Sequence, residues 1–159
     1  MKNSALLILF LMLNVLSACS VTPYKKDIKE TDRSEFLYLR GSFTWWDVEA
    51  HAKVEKVSGQ LYKARVELIA DSKPYEFKFA DENWSLGSNC GYYALSDKTA
   101  DLSNTVNANC KAKFEPFEFT PPETGDYDFF IDFTNEKFPK VWVRAAQAES
   151  LLDQIVPDL

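Results

Sequence analysis

The chain has little equipment for chemistry. Its 159 residues include a single histidine, His51, along with two methionines and three cysteines. No Ser-centred elbow occurs, and His51 has no partner at a metal-ligand spacing, so neither a nucleophilic triad nor a zinc site is legible. We expect no metal and no cofactor. Asp126, Asp128 and Asp132 are candidate calcium ligands. They alternate with apolar residues, however, which reads as the solvated face of a strand, whereas calcium needs six to eight converging oxygens. Carboxylates are plentiful, so counting them does not exclude a glycosidase pair, and a small hydrolase stays open as a third option.

Positive charge is also scarce. Eighteen basic residues stand against 24 acidic ones, a formal balance of −6. A surface of that sign repels phosphates and excludes nucleic acid as a partner. The apolar run at residues 5–16 is the longest, and it falls short of the roughly 20 residues that a membrane span needs. Lys2 before it and Leu16-Ser17-Ala18-Cys19 after it give residues 1–18 the pattern of a signal peptide ending in a bacterial lipobox. That pattern implies a lipidated, palmitate-bearing Cys19 as a membrane anchor, since stable anchoring takes more than one acyl chain. Ser20 resembles the sorting residue of outer-membrane lipoproteins. Residues 19–33 are polar and read as lipidated cysteine and tether.

With Cys19 assigned, Cys90 and Cys110 remain as an even pair in an exported chain, which predicts a Cys90–Cys110 disulfide.

Residues 34–146 read as one all-β domain. The cleanest strand is 61–69, where Tyr62, Ala64, Val66 and Leu68 alternate with charged residues. The turn at Asp71 to Pro74 is expected to pair it antiparallel with the strand 75–80, in which Tyr75, Phe77 and Phe79 share one face, Glu76 and Lys78 the other. Further strands are expected at 36–40, 50–57, at Phe117 and Phe119, through Tyr127, Phe129, Ile131 and Phe133, and at 138–145. In the last of these, Val141 and Val143 point inward and Trp142 and Arg144 outward. Residues 83–109 are the least regular, with a short strand near Asn107. His51 falls on a strand surface. Residues 147–159 are a helix-permissive tail that Pro157 stops. Seven to eight short strands with regular turns predict an antiparallel β-sandwich.

Two aromatic stretches stand out: Gly41-Ser42-Phe43-Thr44-Trp45-Trp46-Asp47, and Tyr75-Glu76-Phe77-Lys78-Phe79 followed by Trp84. Together they resemble the glycogen- and starch-binding modules of pullulanases, branching enzymes and a kinase regulatory subunit, over residues 36–143. The resemblance implies an immunoglobulin-like sandwich that binds carbohydrate without catalysis. It makes Trp46 and Trp84 the stacking tryptophans and Lys78 the hydroxyl-bonding lysine. A downstream asparagine completes the family's site; Asn89 and Asn107 are both candidates, and spacing does not decide between them. Thr44 stands where the family has asparagine, and Trp45 is an added tryptophan. One of Trp45 and Trp46 is expected to point inward.

The expected partner is therefore an α-glucan such as glycogen, starch or a maltooligosaccharide, presented at the outer membrane, facing the periplasm or the cell surface, for a glucan-active enzyme or transporter. The alternative keeps the sandwich and drops the sugar. The chain would then be an interaction module for an envelope or secretion assembly, a purpose that exposed aromatic patches serve equally well. A plainer reading of Trp46 and Trp84 is that they are packing residues of the sandwich.

Overall fold

The computed structural model describes residues 31–147. The signal peptide, Cys19, Ser20, most of the tether and the tail from residue 148 lie outside the described residues.

Nine strands form: β1 (Tyr38–Gly41), β2 (Glu55–Ser58), β3 (Leu61–Leu68), β4 (Tyr75–Ala80), β5 (Asn89–Tyr92), β6 (Val106–Asn109), β7 (Phe117–Phe119), β8 (Gly125–Asp132) and β9 (Lys140–Ala145). They pair antiparallel in the order β1-β4-β5-β6-β9-β8-β3-β2, with β7 also on β4. Among the described residues the helical elements are short 3-10 turns. The sheet curls over one core. Phe77 of β4 meets Phe129 of β8 edge-on at 4.9 Å, although the two strands are not neighbours. Phe117 and Phe119 of β7 join the same cluster.

The strongest alternations become the core strands. Tyr62, Ala64, Val66 and Leu68 of β3, Phe129 and Ile131 of β8, and Val141 and Val143 of β9 are all buried. The expected β3–β4 hairpin does not form. All eight residues of β3 pair with β8, and β2 takes its other edge. The connection at residues 69–74 has no Asn-Gly or Asp-Gly pair to close a tight turn, and it carries the chain across the core to β4 instead.

Other expectations are corrected in the same way. Residues 50–52, expected in a strand, form a 3-10 turn that holds an exposed His51, and the strand starts only at Glu55. The irregular region contains β5, whose Asn-Cys-Gly-Tyr sequence has little strand propensity. Asp128 is not solvated. It sits opposite Arg65 in the β3–β8 register, and its carboxylate accepts from Nε at 2.7 Å and Nη2 at 2.9 Å. Thr31 to Arg33, read as the end of the tether, pack on the body. The Tyr62 hydroxyl donates to the Thr31 carbonyl and accepts from the Arg33 N–H, and the Arg33 guanidinium lies 4.0 Å from the Phe133 ring centre.

The predicted disulfide is present, joining Cys90 of β5 to Cys110 just after β6.

Candidate functional site

The site is built on the outer face of β1 and β4. Strand alternation sends Leu39, Phe77 and Phe79 into the core, so Arg40 and Lys78 emerge on the opposite face. The register sets them directly across from each other. Asn89 pairs with Ala80, one step along that face. Two cations and an amide thus share one patch of sheet.

Two loops cover the patch. In the first, the Thr44 hydroxyl accepts from the Gly41 N–H and donates to the Gly41 carbonyl, both at 3.1 Å. The Trp46 N–H closes on the Gly41 carbonyl at 2.9 Å. Threonine therefore closes this turn where the resembling modules have asparagine. Phe43 packs inward, 6.2 Å from Phe129. That fills the inward role expected of Trp45 or Trp46, and neither tryptophan enters the core. Trp45 is 86% exposed and does not line the groove. In the second loop, the Asp81 carboxylate accepts from the Ser85 N–H at 2.7 Å. Trp45, Trp46 and Trp84 have φ of 54°, 65° and 55°. A left-handed backbone is uncommon for bulky residues, and such strain persists only where the surroundings over-determine it.

Arg40 does much of that determining. Its guanidinium donates from Nε to the Trp46 carbonyl at 2.8 Å and also from Nη2 to the same oxygen. Nη1 donates to the carbonyls of Asp81 at 2.8 Å and Glu82 at 3.2 Å. Its Cζ lies 3.7 Å from the Trp84 ring centre. One side chain therefore ties both loops together and supports the second tryptophan. Burial lowers its pKa, partly countered by Asp47, Asp81 and Glu82.

Lys78 is 3% exposed. Its ammonium donates to the carbonyls of Ala112 at 3.2 Å and Lys113 at 3.4 Å, and it lies 5.9 Å from the Trp84 ring centre. Burial pulls its pKa down to about 8, with Glu115 opposing. Alternation alone would have left this lysine in solvent. The Trp84 ring above and the segment after Cys110 beside it enclose it.

Trp46 and Trp84 come within 6.2 Å, centre to centre, at 48°. With Lys78, Asn89, Lys113, Phe114 and Pro116 they line a groove of about 550 Å³. Asn89 is 8% exposed, and its Oδ1 has no hydrogen-bond partner among the described residues. A buried acceptor left unpaired costs about 1–3 kcal/mol, unless a ligand or water donates to it.

Asn107, the other candidate, is elsewhere. Its backbone N–H and Nδ2 donate to Asp97 Oδ1, each at 2.9 Å, and its Oδ1 accepts from Lys140 at 2.6 Å. All of its polar groups are engaged in joining β6 to its surroundings.

The sequence does not mark Arg40 beneath the tryptophan loops, nor three residues that line the groove, Lys113, Phe114 and Pro116. Arg40 looked like the end of a strand. Lys113, Phe114 and Pro116 precede the strand expected at Phe117 and Phe119. In the structure Ala112 is buried and Phe114 is 87% exposed. The available signal was an aromatic residue in a charged stretch just before a proline.

A solved structure shares this architecture. The ligand-induced structure of AmyP-SBD, a starch-binding domain, superposes with a TM-score of 0.53 at 20% identity, over 70% of this chain and 72% of that one. At that identity the likeness is one of fold. No protein-family model matches the sequence, and no curated protein matches it either.

Proposed function

We propose that this protein is a non-catalytic carbohydrate-binding protein. In this reading it is an immunoglobulin-like β-sandwich of the glycogen- and starch-binding type, anchored at the outer membrane through lipid on Cys19, and its ligands are α-glucans. The observation that carries the reading is the pairing of Trp46 and Trp84 over a groove containing a buried, unpaired Asn89 oxygen. Pyranose rings stack their apolar faces on aromatic planes, and their hydroxyls are both donors and acceptors. Asn89 lines the groove, a sugar hydroxyl that reaches its Oδ1 would satisfy that acceptor, and the third Lys78 proton is available to another.

The ring angle supports the glucan class. Rings tilted by 48° suit a chain whose successive sugars turn, as in α-1,4-linked glucose. Flat β-1,4-linked chains call for coplanar platforms. The fold shared with a starch-binding domain agrees with this choice.

Native affinity electrophoresis tests it. Gels containing glycogen or soluble starch should retard the protein, whereas gels with a soluble cellulose derivative should not. Retardation should survive salt, since a neutral glucan offers no charge to screen. Loss of metabolic palmitate labelling in Cys19→Ala tests the anchor separately.

One observation favours a second reading. Trp45 and Leu86 are both strongly exposed. They suit a protein interface, and an envelope protein that co-purifies with a chain indifferent to glucan would point to an interaction module.

A further inference from the structure

We infer that Phe114 is a third stacking platform, one that takes a sugar further along a glucan already held by Trp46 and Trp84. The inference rests on the carbohydrate reading of the groove and extends it.

Phe114 is 87% exposed, more so than any other large apolar side chain among the described residues, yet it lines the same groove as the two tryptophans. Isolated exposed apolar residues are ordinary on protein surfaces. This one differs in how firmly its backbone is held. The segment leaves the Cys90–Cys110 disulfide. Its Ala112 side chain is buried, and the Lys78 ammonium grips the carbonyls of Ala112 and Lys113. The Phe114 N–H donates to the Glu115 carboxylate at 2.8 Å, and the Tyr92 N–H donates to the Glu115 carbonyl at 3.0 Å. Gly91 lets the two backbones approach this closely: a Cβ there would sit 1.8 Å from the Glu115 carbonyl oxygen. Pro116 then fixes the exit of the chain.

The result is a rigid backbone that presents a bare ring. Phenylalanine has no polar group to satisfy, so it offers a sugar only its face and area. Its neighbour Lys113 is exposed and lines the groove beside it, placing an ammonium donor where hydroxyls of the same sugar would lie. A platform on the groove wall formed by this segment, apart from the two tryptophan loops, contributes only when the ligand is long enough to reach it. Affinity should therefore depend on chain length through Phe114.

Isothermal titration of maltotriose and maltoheptaose into wild type, Phe114→Ala and Phe114→Tyr reads this directly. In Phe114→Ala, maltoheptaose affinity should fall about tenfold, the size of one lost ring contact, while maltotriose affinity changes less than about twofold. Phe114→Tyr should restore the long-chain affinity. Exposure of the side chain makes a folding defect unexpected, and a thermal melt of each variant checks this. Equal loss for both sugars, or no loss for either, overturns the third platform and leaves the tryptophan site standing. Failure of wild type to bind either sugar overturns both readings.

Discussion

The Arg40 guanidinium lies over Trp84, with Cζ 3.7 Å from the ring centre, while its nitrogens hold the Trp46 carbonyl. Each tryptophan is thus positioned by the same buried cation. The arrangement resolves two difficulties at once. A guanidinium taken out of water finds acceptors in the carbonyls of Trp46, Asp81 and Glu82, and two loops with left-handed residues find a common anchor.

Replacing Arg40 should therefore harm binding without touching a ligand. Arg40→Lys keeps the charge but cannot reach both loops with a planar set of donors. We expect a stability loss of about 1–3 kcal/mol from the orphaned carbonyls. We also expect about tenfold weaker glucan binding, a loss of about 1.4 kcal/mol. Titration gives the affinity, and indole N–H shifts of Trp46 and Trp84 in NMR spectra give the positioning. A variant whose indole signals stay put while binding drops would argue that Arg40 acts on the ligand itself.

Lys78 gives a pH prediction with two opposite signs. Its folded pKa is about 8, and an unfolded lysine titrates at about 10.4. Between these values the unfolded chain binds more protons, so this group's contribution to stability rises with pH. Its grip on the Ala112 and Lys113 carbonyls, by contrast, weakens once the proton leaves. Maltoheptaose affinity should then fall with a midpoint near pH 8, whereas the Lys78 contribution to thermal stability does not fall with it. Lys78→Met should remove this midpoint. Titrations from about pH 7 to about pH 9 decide the matter, and a flat wild-type profile would contradict the anchoring role.

Gly91→Ala should act at a distance. A methyl group at this position collides with the Glu115 carbonyl backbone and cannot be relieved by turning a side chain. The segment carrying Phe114 must move, so long-chain affinity should drop more than short-chain affinity. Equal effects on both would mean that the segment tolerates displacement.

Removing the disulfide should combine a global and a local effect. Its 20-residue separation corresponds to about 3 kcal/mol in the chain-entropy description. Cys90→Ala with Cys110→Ala should lower the melting temperature and also loosen the entry to the Phe114 segment. Denaturant melts and maltoheptaose titration separate the two effects.

Much of the sheet was legible because burial on one face writes a period of two. β3, β4, β8 and β9 all carry it, and their inward residues are the core. What failed depended on contacts far apart in sequence. β5 is short and is held by β4 on one side and by β6 on the other. Strand pairing followed the long β3–β8 ladder and not the nearest turn. Lys78 and Asp128 have the alternation of solvent-facing residues, but a tryptophan loop covers one and Arg65 pairs with the other. At the groove, the family resemblance pointed to Trp46, Lys78 and Trp84. It could not choose between Asn89 and Asn107, because that choice depends on which strand lies beside Ala80. Arg40 carries no local pattern that sets it apart, and Phe114 only its place in a charged stretch before Pro116.

The most direct test of the account is glucan binding by wild type and three single tryptophan variants, each checked for folding by circular dichroism. Trp46→Ala and Trp84→Ala should each weaken maltoheptaose binding about tenfold or more, from lost stacking of about 1–3 kcal/mol per ring. Trp45→Ala, whose exposed ring lies off the groove, should bind as wild type does. Undiminished binding in both the Trp46 and Trp84 variants would contradict the central claim and leave the likeness to a starch-binding domain as one of fold alone.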